Sequence, residues 1–362
     1  MPTFDTLATP AVLVDRTKLA ANIQRMQATC TAHGVELRPH LKTHKMVAVA
    51  KQQLEAGAKG LTCAKLGEAE AMLPSGVRHL FVAHSLVDPG QAARIAALAE
   101  RLDDFRVAVT SEVHLEALLR VARAAGRKLD VMLALDTGLG REGARDGATA
   151  ARVATLIARS GQLTLRGFYT HEGNFYGLAR EELSPRAAQL IETMDSIRDA
   201  IDPTLPIWPG CSVTAAMIAS TGAGRVQAVR PGSYVFGDLS LSQVTGIMPL
   251  EAVALQILAT VVDRPEPGLA LIDAGSKTFS SDRTPAGIHG IAADGRDLSV
   301  ARVNEEHGYL RGAAVDTLRV GERVALIPAH VCTVINLTDE VIVTDNEQIV
   351  TRWPVDARGC TK

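Results

Sequence analysis

Aromatic residues are scarce, at 4% of the 362 positions. Single-stranded nucleic acid is bound on stacked aromatic side chains, so this composition argues against that role. An excess of one charge is also missing. The formal net charge is -2, which leaves no electrostatic footprint for nucleic acid or for an acidic membrane. No apolar run reaches the roughly 20 residues of a membrane span. The opening Met1-Pro-Thr-Phe-Asp-Thr-Leu-Ala-Thr-Pro10 carries neither the basic nor the apolar region of a signal peptide. The five cysteines stand at 30, 63, 211, 332 and 360. They are odd in number and widely spaced, with no Cys-x-x-Cys, which excludes a disulfide framework and predicts a reduced, cytoplasmic protein. Internal repeats and low-complexity linkers are absent too. A Gly-rich dinucleotide loop after an early strand is missing, which counts against an open doubly wound sheet.

What is present is an ordinary globular balance, 47% hydrophobic and 22% charged. Through the first two-thirds of the chain, short apolar or β-branched runs alternate with periodic, Ala- and Leu-rich stretches. The runs are 35–38, 60–63, 79–83, 105–109, 129–135, 163–169, 205–208 and 227–229. Helical patterns such as 90–101, 112–125 and 148–160 lie between them. Eight strands with helices between them predict a (β/α)8 TIM-type barrel over residues 16–245. After about 245 strand-like runs dominate, at 252–262, 269–273, 323–327, 340–344 and 348–353. These predict a C-terminal, mostly antiparallel β domain over 246–362, joined by residues 1–15 through a strand at 11–15.

The strand ends carry the polar residues. Lys42 follows the first barrel strand, Lys65 the second and His84 the third. Asp136-Thr-Gly-Leu-Gly-Arg141, His171-Glu-Gly-Asn174, Gly210-Cys-Ser-Val-Thr214 and Arg230-Pro-Gly-Ser-Tyr234 follow later strands. In a barrel the C-terminal strand ends form the active face. The most informative stretch is Arg38-Pro-His-Leu-Lys-Thr-His-Lys45. Arg38, His40, His44 and Lys45 crowd Lys42, and a lysine among cations or out of water is the kind that forms Schiff bases. By its residues alone the stretch is also compatible with a basic surface turn, and either lysine could carry the chemistry. Phosphate binding needs backbone N–H groups and small residues, which Gly210, Cys211 and Ser212 supply before a helix at 215–221. An ordinary turn with a capping serine fits the same residues. In Pro328-Ala-His-Val-Cys332, period 2 would turn His330 and Cys332 to one side of an extended segment. Imidazole and thiolate suit zinc, and manganese or magnesium less well.

Taken in order, these pieces, with Ala64-Lys-Leu-Gly-Glu-Ala69, Asp273-Ala-Gly-Ser-Lys277 and Glu305-Glu-His-Gly308, resemble the fold-type III pyridoxal-phosphate enzymes. Alanine racemase is the distant likeness, and the D-threonine aldolase and D-serine dehydratase family the near one. The resemblance spans nearly the whole chain. It implies that Lys42, not Lys45, holds pyridoxal 5'-phosphate. It places the phosphate on Gly210, Cys211, Ser212, Gly232 and Tyr234, Arg230 at the ring nitrogen and Arg141 at the phenolic oxygen. It gives His171 an acid–base role and His330 with Cys332 a divalent metal. It further implies a small D-amino acid substrate and a homodimer whose β domain closes the partner's barrel mouth. The expected reaction is retro-aldol cleavage of a D-3-hydroxy amino acid to glycine and an aldehyde. His171-Glu-Gly-Asn174 and the segment 352–358 resemble the aldolases. The His-x-Cys pair resembles instead the D-serine and hydroxyaspartate dehydratases, so an ammonia-lyase is the alternative. A racemase would need a second acid–base residue facing Lys42, and a non-catalytic cofactor-binding protein would lack the β domain.

Overall fold

The computed structural model describes residues 4–345 and 348–362. The chain forms two compact units. The first comprises Gln24–Lys42, Val47–Gly232 and Cys360–Lys362; the second comprises the chain up to Ile23, Thr43–Met46 and Ser233–Gly359. No helix among the described residues is long and apolar enough to cross a membrane.

Strand β1 (Ala11–Asp15) and helix α1 (Arg16–Ala32) open the chain. Strands and helices then alternate: β2 (Glu36–Leu37), α2 (Val47–Glu55), β3 (Leu61–Cys63), α3 (Leu66–Met72), β4 (His79–Val82), α4 (Ala92–Arg101), β5 (Asp104–Val109) and α5 (Glu112–Ala124). The series continues with β6 (Leu129–Ala134), α6 (Gly147–Ser160), β7 (Leu163–Tyr169), α7 (Arg180–Asp199), β8 (Ile207–Trp208), α8 (Ala215–Thr221) and β9 (Ala228–Val229). All eight expected barrel strands are there. β3 to β8 pair in parallel, each with its neighbour in sequence, and β2 pairs in parallel with β9. A bridge between His40 and Thr62 ties β2 to β3, and Gln227 N–H donates to Ile207 O at 3.3 Å to tie β9 to β8. The ring is thereby closed.

Local chemistry sets the helix ends. Ser111 caps α5 by accepting from His114 N–H, and Asp146 caps α6 by accepting from Thr149 N–H. Each such cap is worth about 1 kcal/mol. Three aromatics supply volume in the barrel interior. Phe81, Tyr169 and Trp208 fill its interior with Met132, Ala108, Ala134 and Ala228. Phe81 meets Tyr169 edge-on at 4.9 Å and Trp208 at 6.0 Å. Arg38 and Arg106 lie over Trp208 at 4.3 and 4.6 Å, cation–π contacts of roughly 0.5–2 kcal/mol each.

The second unit continues with β10 (Leu255–Glu266), β11 (Leu269–Ile272), α9 (Ser276–Phe279), β12 (Gly290–Ala292), β13 (Ser299–Val303) and β14 (Gly308–Arg311). It ends with β15 (Arg323–Pro328), α10 (Val331–Leu337), β16 (Glu340–Asp345) and β17 (Gln348–Pro354). Nine strands form one sheet in the order β11-β14-β13-β12-β15-β10-β1-β16-β17. All neighbours run antiparallel except β1 and β16. β1 thus joins this sheet as the sequence suggests, with Leu13 and Leu258 packed on Ile342.

Two features differ from the sequence reading. β12, β13 and β14 were not separable in it, because each is only three to five residues long and β13 does not alternate in burial. The segment after Ala329 is not extended. Val331-Cys-Thr-Val-Ile-Asn-Leu337 is β-branched and reads as a strand, yet it forms α10. Its buried residues Val331, Val334 and Ile335 recur at helical spacing, and that packing overrides the weak local preference.

Candidate active site

Lys42 lies in a tight 3-10 turn, Leu41–Thr43, directly after β2. The cations that surround it in sequence have partners of their own. Arg38 is buried inside the barrel, and its Nε donates to Glu36 Oε2 at 2.9 Å. His44 is fully buried, with Nδ1 accepting from Met46 N–H at 3.1 Å. Lys45 has φ 53, and its ammonium donates to Asn336 Oδ1 at 2.8 Å. His40 stays with Lys42, and its Nδ1 accepts from the Lys42 N–H at 3.4 Å.

Lys42 and His40 line a cavity of about 370 Å³ at the C-terminal strand ends of the barrel. His84, Arg141, His171 and Arg230 share its wall, with Glu142 and Tyr169, and Ala64 and Ala83 keep part of it open. Arg141 and Glu142 are brought there by the loop after β6. That loop turns back at Gly143, φ 121, where a Cβ would come within 2.8 Å of the Asp136 N. Asp136 pairs with Arg145 at 3.3 Å. Arg230 is buried. Its Nε donates to Trp208 O at 3.1 Å and a second amine donates to Thr170 O.

His171 donates its Nδ1–H to Gly210 O at 3.2 Å, which leaves Nε2 as the acceptor. Burial, and then the charge of Lys42, lower its pKa to about 3, so the ring is neutral. Next to it, Glu172 is fully buried. Its Oε1 accepts from Gly210 N–H at 2.8 Å while Oε2 has no partner, and burial raises its pKa to about 7.

These two residues hold the Gly210-Cys-Ser-Val-Thr214 turn against the cavity wall. Gly210 is demanded by close approach, since a Cβ there would stand 2.6 Å from the Arg230 N. Ser212 is buried, and its Oγ accepts from Gly232 N–H at 3.1 Å, which links the two glycine turns. Cys211 contacts Thr214 at 3.3 Å, and burial pushes its thiol up to about 12, so it is no nucleophile. Tyr234 is buried in the second unit and not in the unit that holds this turn.

In the second unit His330 is the residue before α10 and Cys332 is in its first turn. The extended geometry expected for the pair is therefore replaced by a helix start, which still brings imidazole and sulfur into contact. The charge of Cys332 is the main cause that raises the His330 pKa to about 11. Asp238, with no exposed surface, accepts from His330 Nδ1–H at 2.9 Å and from Val331 N–H at 3.2 Å. Thr43 Oγ1 lies 3.2 Å from Cys332 Sγ. No third His, Cys, Asp or Glu joins the pair in a metal-holding group among the described residues.

The sequence singled out neither Asp238 nor Tyr169, Glu142 or Glu172 as separate site residues. Nothing near Asp238 signals it, because its partner is 92 positions away. Tyr169 closes an apolar strand and reads as core. Lys65 and His84 were visible as strand-end residues but not as a pair.

The residues fit pyridoxal phosphate. Lys42, Arg141 and Arg230 put three positive charges on the wall of the 370 Å³ space. The Tyr169 hydroxyl is buried there without a hydrogen-bond partner among the described residues. A flat, anionic aromatic ring answers both. The His330–Cys332 pair fits a metal by its donor chemistry, an imidazole oriented by a carboxylate and a thiolate.

Known proteins share this arrangement of chain. The family model for the alanine racemase N-terminal domain matches residues 14–240, and one described as a serine dehydratase domain matches 254–344. D-threo-3-hydroxyaspartate dehydratase of Delftia sp. strain HT23 is 33% identical, over 91% of this chain and 92% of its own. D-threonine aldolase of an Arthrobacter species is 29% identical over 98% and 93%. The crystal structure of D-threonine aldolase from Filomicrobium marinum superimposes with a TM-score of 0.90 at 27% identity, over 99% and 97%.

Proposed function

We propose that this chain, which belongs to the family of the alanine racemase N-terminal domain, cleaves D-3-hydroxy amino acids to glycine and an aldehyde. Its relatives make it an enzyme of the pyridoxal-phosphate lyase kind. The substrate and the bond broken are the proposal. The observation that carries it is the position of Lys42. Among the described residues it is the lysine on the cavity wall, at a strand end, while Lys45 is committed to Asn336.

Lys42 would hold the cofactor covalently through Nζ. Arg230 and Arg141 would face its ring, and Gly210, Cys211, Ser212 and Gly232 its phosphate. When bound, pyridoxal phosphate supplies an electron sink for the pair left on Cα. The protein has to do the rest. His171 presents Nε2 as a base for the hydroxyl proton. Burial is the main cause of its low pKa and the charge of Lys42 the next, so neutralising that charge raises its basicity. The Gly210 carbonyl fixes the ring's tautomer and place, and Glu172 holds Gly210 through its N–H.

His330 Nε2 and Cys332 would hold a divalent metal, zinc or else manganese or magnesium, while Asp238 keeps Nδ1 occupied. A metal there supplies Lewis acidity toward an oxygen. Family resemblance also supports a homodimer, which a solution mass at working concentration tests.

One observation favours a second reading. Cys332 gives the pair a thiolate, and the 33% identical relative is a dehydratase. In that case Lys42 takes the Cα proton and the hydroxyl leaves, giving a 2-oxo acid and ammonia. Incubation of metal-loaded holoenzyme with D-threonine and with D-serine separates the two. Glycine and acetaldehyde from D-threonine support the aldolase. Pyruvate from D-serine without glycine replaces it by the dehydratase.

A further inference from the structure

At the cavity wall stands a Lys–His pair to which the reaction above gives no task. β3 and β4 pair at a constant offset, Leu61 with Leu80 and Cys63 with Val82. Carried two residues further, the same register puts Lys65 beside His84. The side chains meet there, with Nζ 2.9 Å from Nε2. An ammonium has no acceptor, so Lys65 donates and His84 carries its proton on Nδ1. His84 lines the cavity. The turn before α3 is fixed by Glu68, buried to 1% exposure, whose Oε2 accepts from Ala64 N–H at 2.7 Å and Lys65 N–H at 3.3 Å.

Lys65 has no carboxylate at ion-pair distance among the described residues. The carboxylate on the cavity wall, Glu142, takes the Ser85 hydroxyl at 2.9 Å. A half-buried ammonium that leans on a neutral imidazole, at the rim of a cavity with surplus positive charge, lacks an anion. The cofactor's phosphate does not supply it, because the glycine turns that suit phosphate follow β8 and β9, and β2 stands between those strands and β3. We propose that Lys65 and His84 form a subsite for a carboxylate of the amino-acid substrate. The inference rests on the lyase reading for the substrate being an amino acid, and it adds the group that orients it. Lys65 supplies the charge, and His84 holds the ammonium in place and adds a hydrogen-bonding ring.

Binding can be read without turnover, from the shift in the visible absorbance of the bound cofactor as amino acid is added. Wild-type holoenzyme, Lys65→Met and Lys65→Arg are titrated with D-threonine and with D-threo-3-hydroxyaspartate. Lys65→Met is expected to keep its cofactor and to bind roughly tenfold more weakly or worse, the scale of one charge-assisted hydrogen bond. Lys65→Arg is expected to restore most of the loss. If both amino acids weaken alike, the subsite takes the α-carboxylate. If only hydroxyaspartate weakens, it takes a side-chain carboxylate and the chain selects dicarboxylic substrates. Unchanged affinity for both in cofactor-loaded Lys65→Met overturns the proposal. Failure of the lyase reading looks different, with the contrast in binding kept and no cleavage product formed.

Discussion

The barrel cavity and the His330–Cys332 pair are assembled in opposite ways. The cavity draws one or two residues from the end of almost every strand, and two of its polar side chains are pinned by backbone: His171 on Gly210, Arg230 on Trp208 and Thr170. The pair comes from one turn of chain and has a single buried carboxylate, Asp238, behind it. A site built from many strands is rigid before anything binds and can position a large ring. A site of two donors leaves most of a metal's coordination positions for water or substrate, which suits catalysis better than structural binding. The difference teaches that cofactor and metal should be separable: each can be lost without the other.

The largest test of that separation is at Lys42. Lys42→Ala should remove the visible absorbance of bound cofactor and lower activity to background, roughly 10⁴-fold or more, while metal content stays unchanged. Lys45→Ala should keep the absorbance. Metal analysis and a spectrum of each variant decide it. Cys332→Ser works from the other side. It should strip most of the metal and lower kcat by about 10²–10³-fold, a loss of several kcal/mol of Lewis-acid stabilisation, with the cofactor spectrum intact. Equal activity before and after exhaustive chelation would break the comparison at this point. The thiol and imidazole must shed protons to bind, so metal affinity should fall as pH falls.

Asp238→Asn sharpens the comparison, because it tests whether the pair depends on its single support. A tenfold to hundredfold weaker metal affinity is expected, the usual cost of losing a partner behind a ligand. Titration with a zinc indicator measures it. An unchanged affinity would mean that Asp238 only caps the start of α10.

The smallest effect concerns Glu172, the buried carboxylate behind the glycine turn. Its folded pKa is about 7 against an ordinary 4.5. The folded state therefore holds this proton more tightly. The contribution to stability is full below about 4.5 and is lost as pH rises through about 7. Glu172→Gln should flatten the decline of Tm between those values in the cofactor-free protein, by a difference on the order of 1–3 kcal/mol. Parallel slopes for the two proteins would show that the proton is not held there.

Much of the barrel was legible because its signal is local. Each strand is a short apolar run between helical patterns, and the residue after it is polar. The 3.6 and 2.0 periods need no knowledge of distant partners. α10 was misread for the same reason: Val331-Cys-Thr-Val-Ile has strand propensity, and only packing at 331, 334 and 335 makes it a helix. The surroundings of Lys42 show a second limit. Arg38, His40, His44 and Lys45 read as one cluster around Lys42, but Arg38 pairs with Glu36, His44 takes the Met46 N–H and Lys45 is held by Asn336. Proximity in sequence does not fix direction in space. Asp238 behind His330, and His84 beside Lys65, depend on pairings 92 and 19 residues apart that no local pattern encodes.

The account stands most directly on which lysine carries the cofactor. Holoenzyme reduced with borohydride fixes the pyridoxyl group to its lysine, and peptide mass mapping then locates it. A single label on Lys42 is the predicted result. A label on Lys45 or Lys65, or none after full loading, would contradict it.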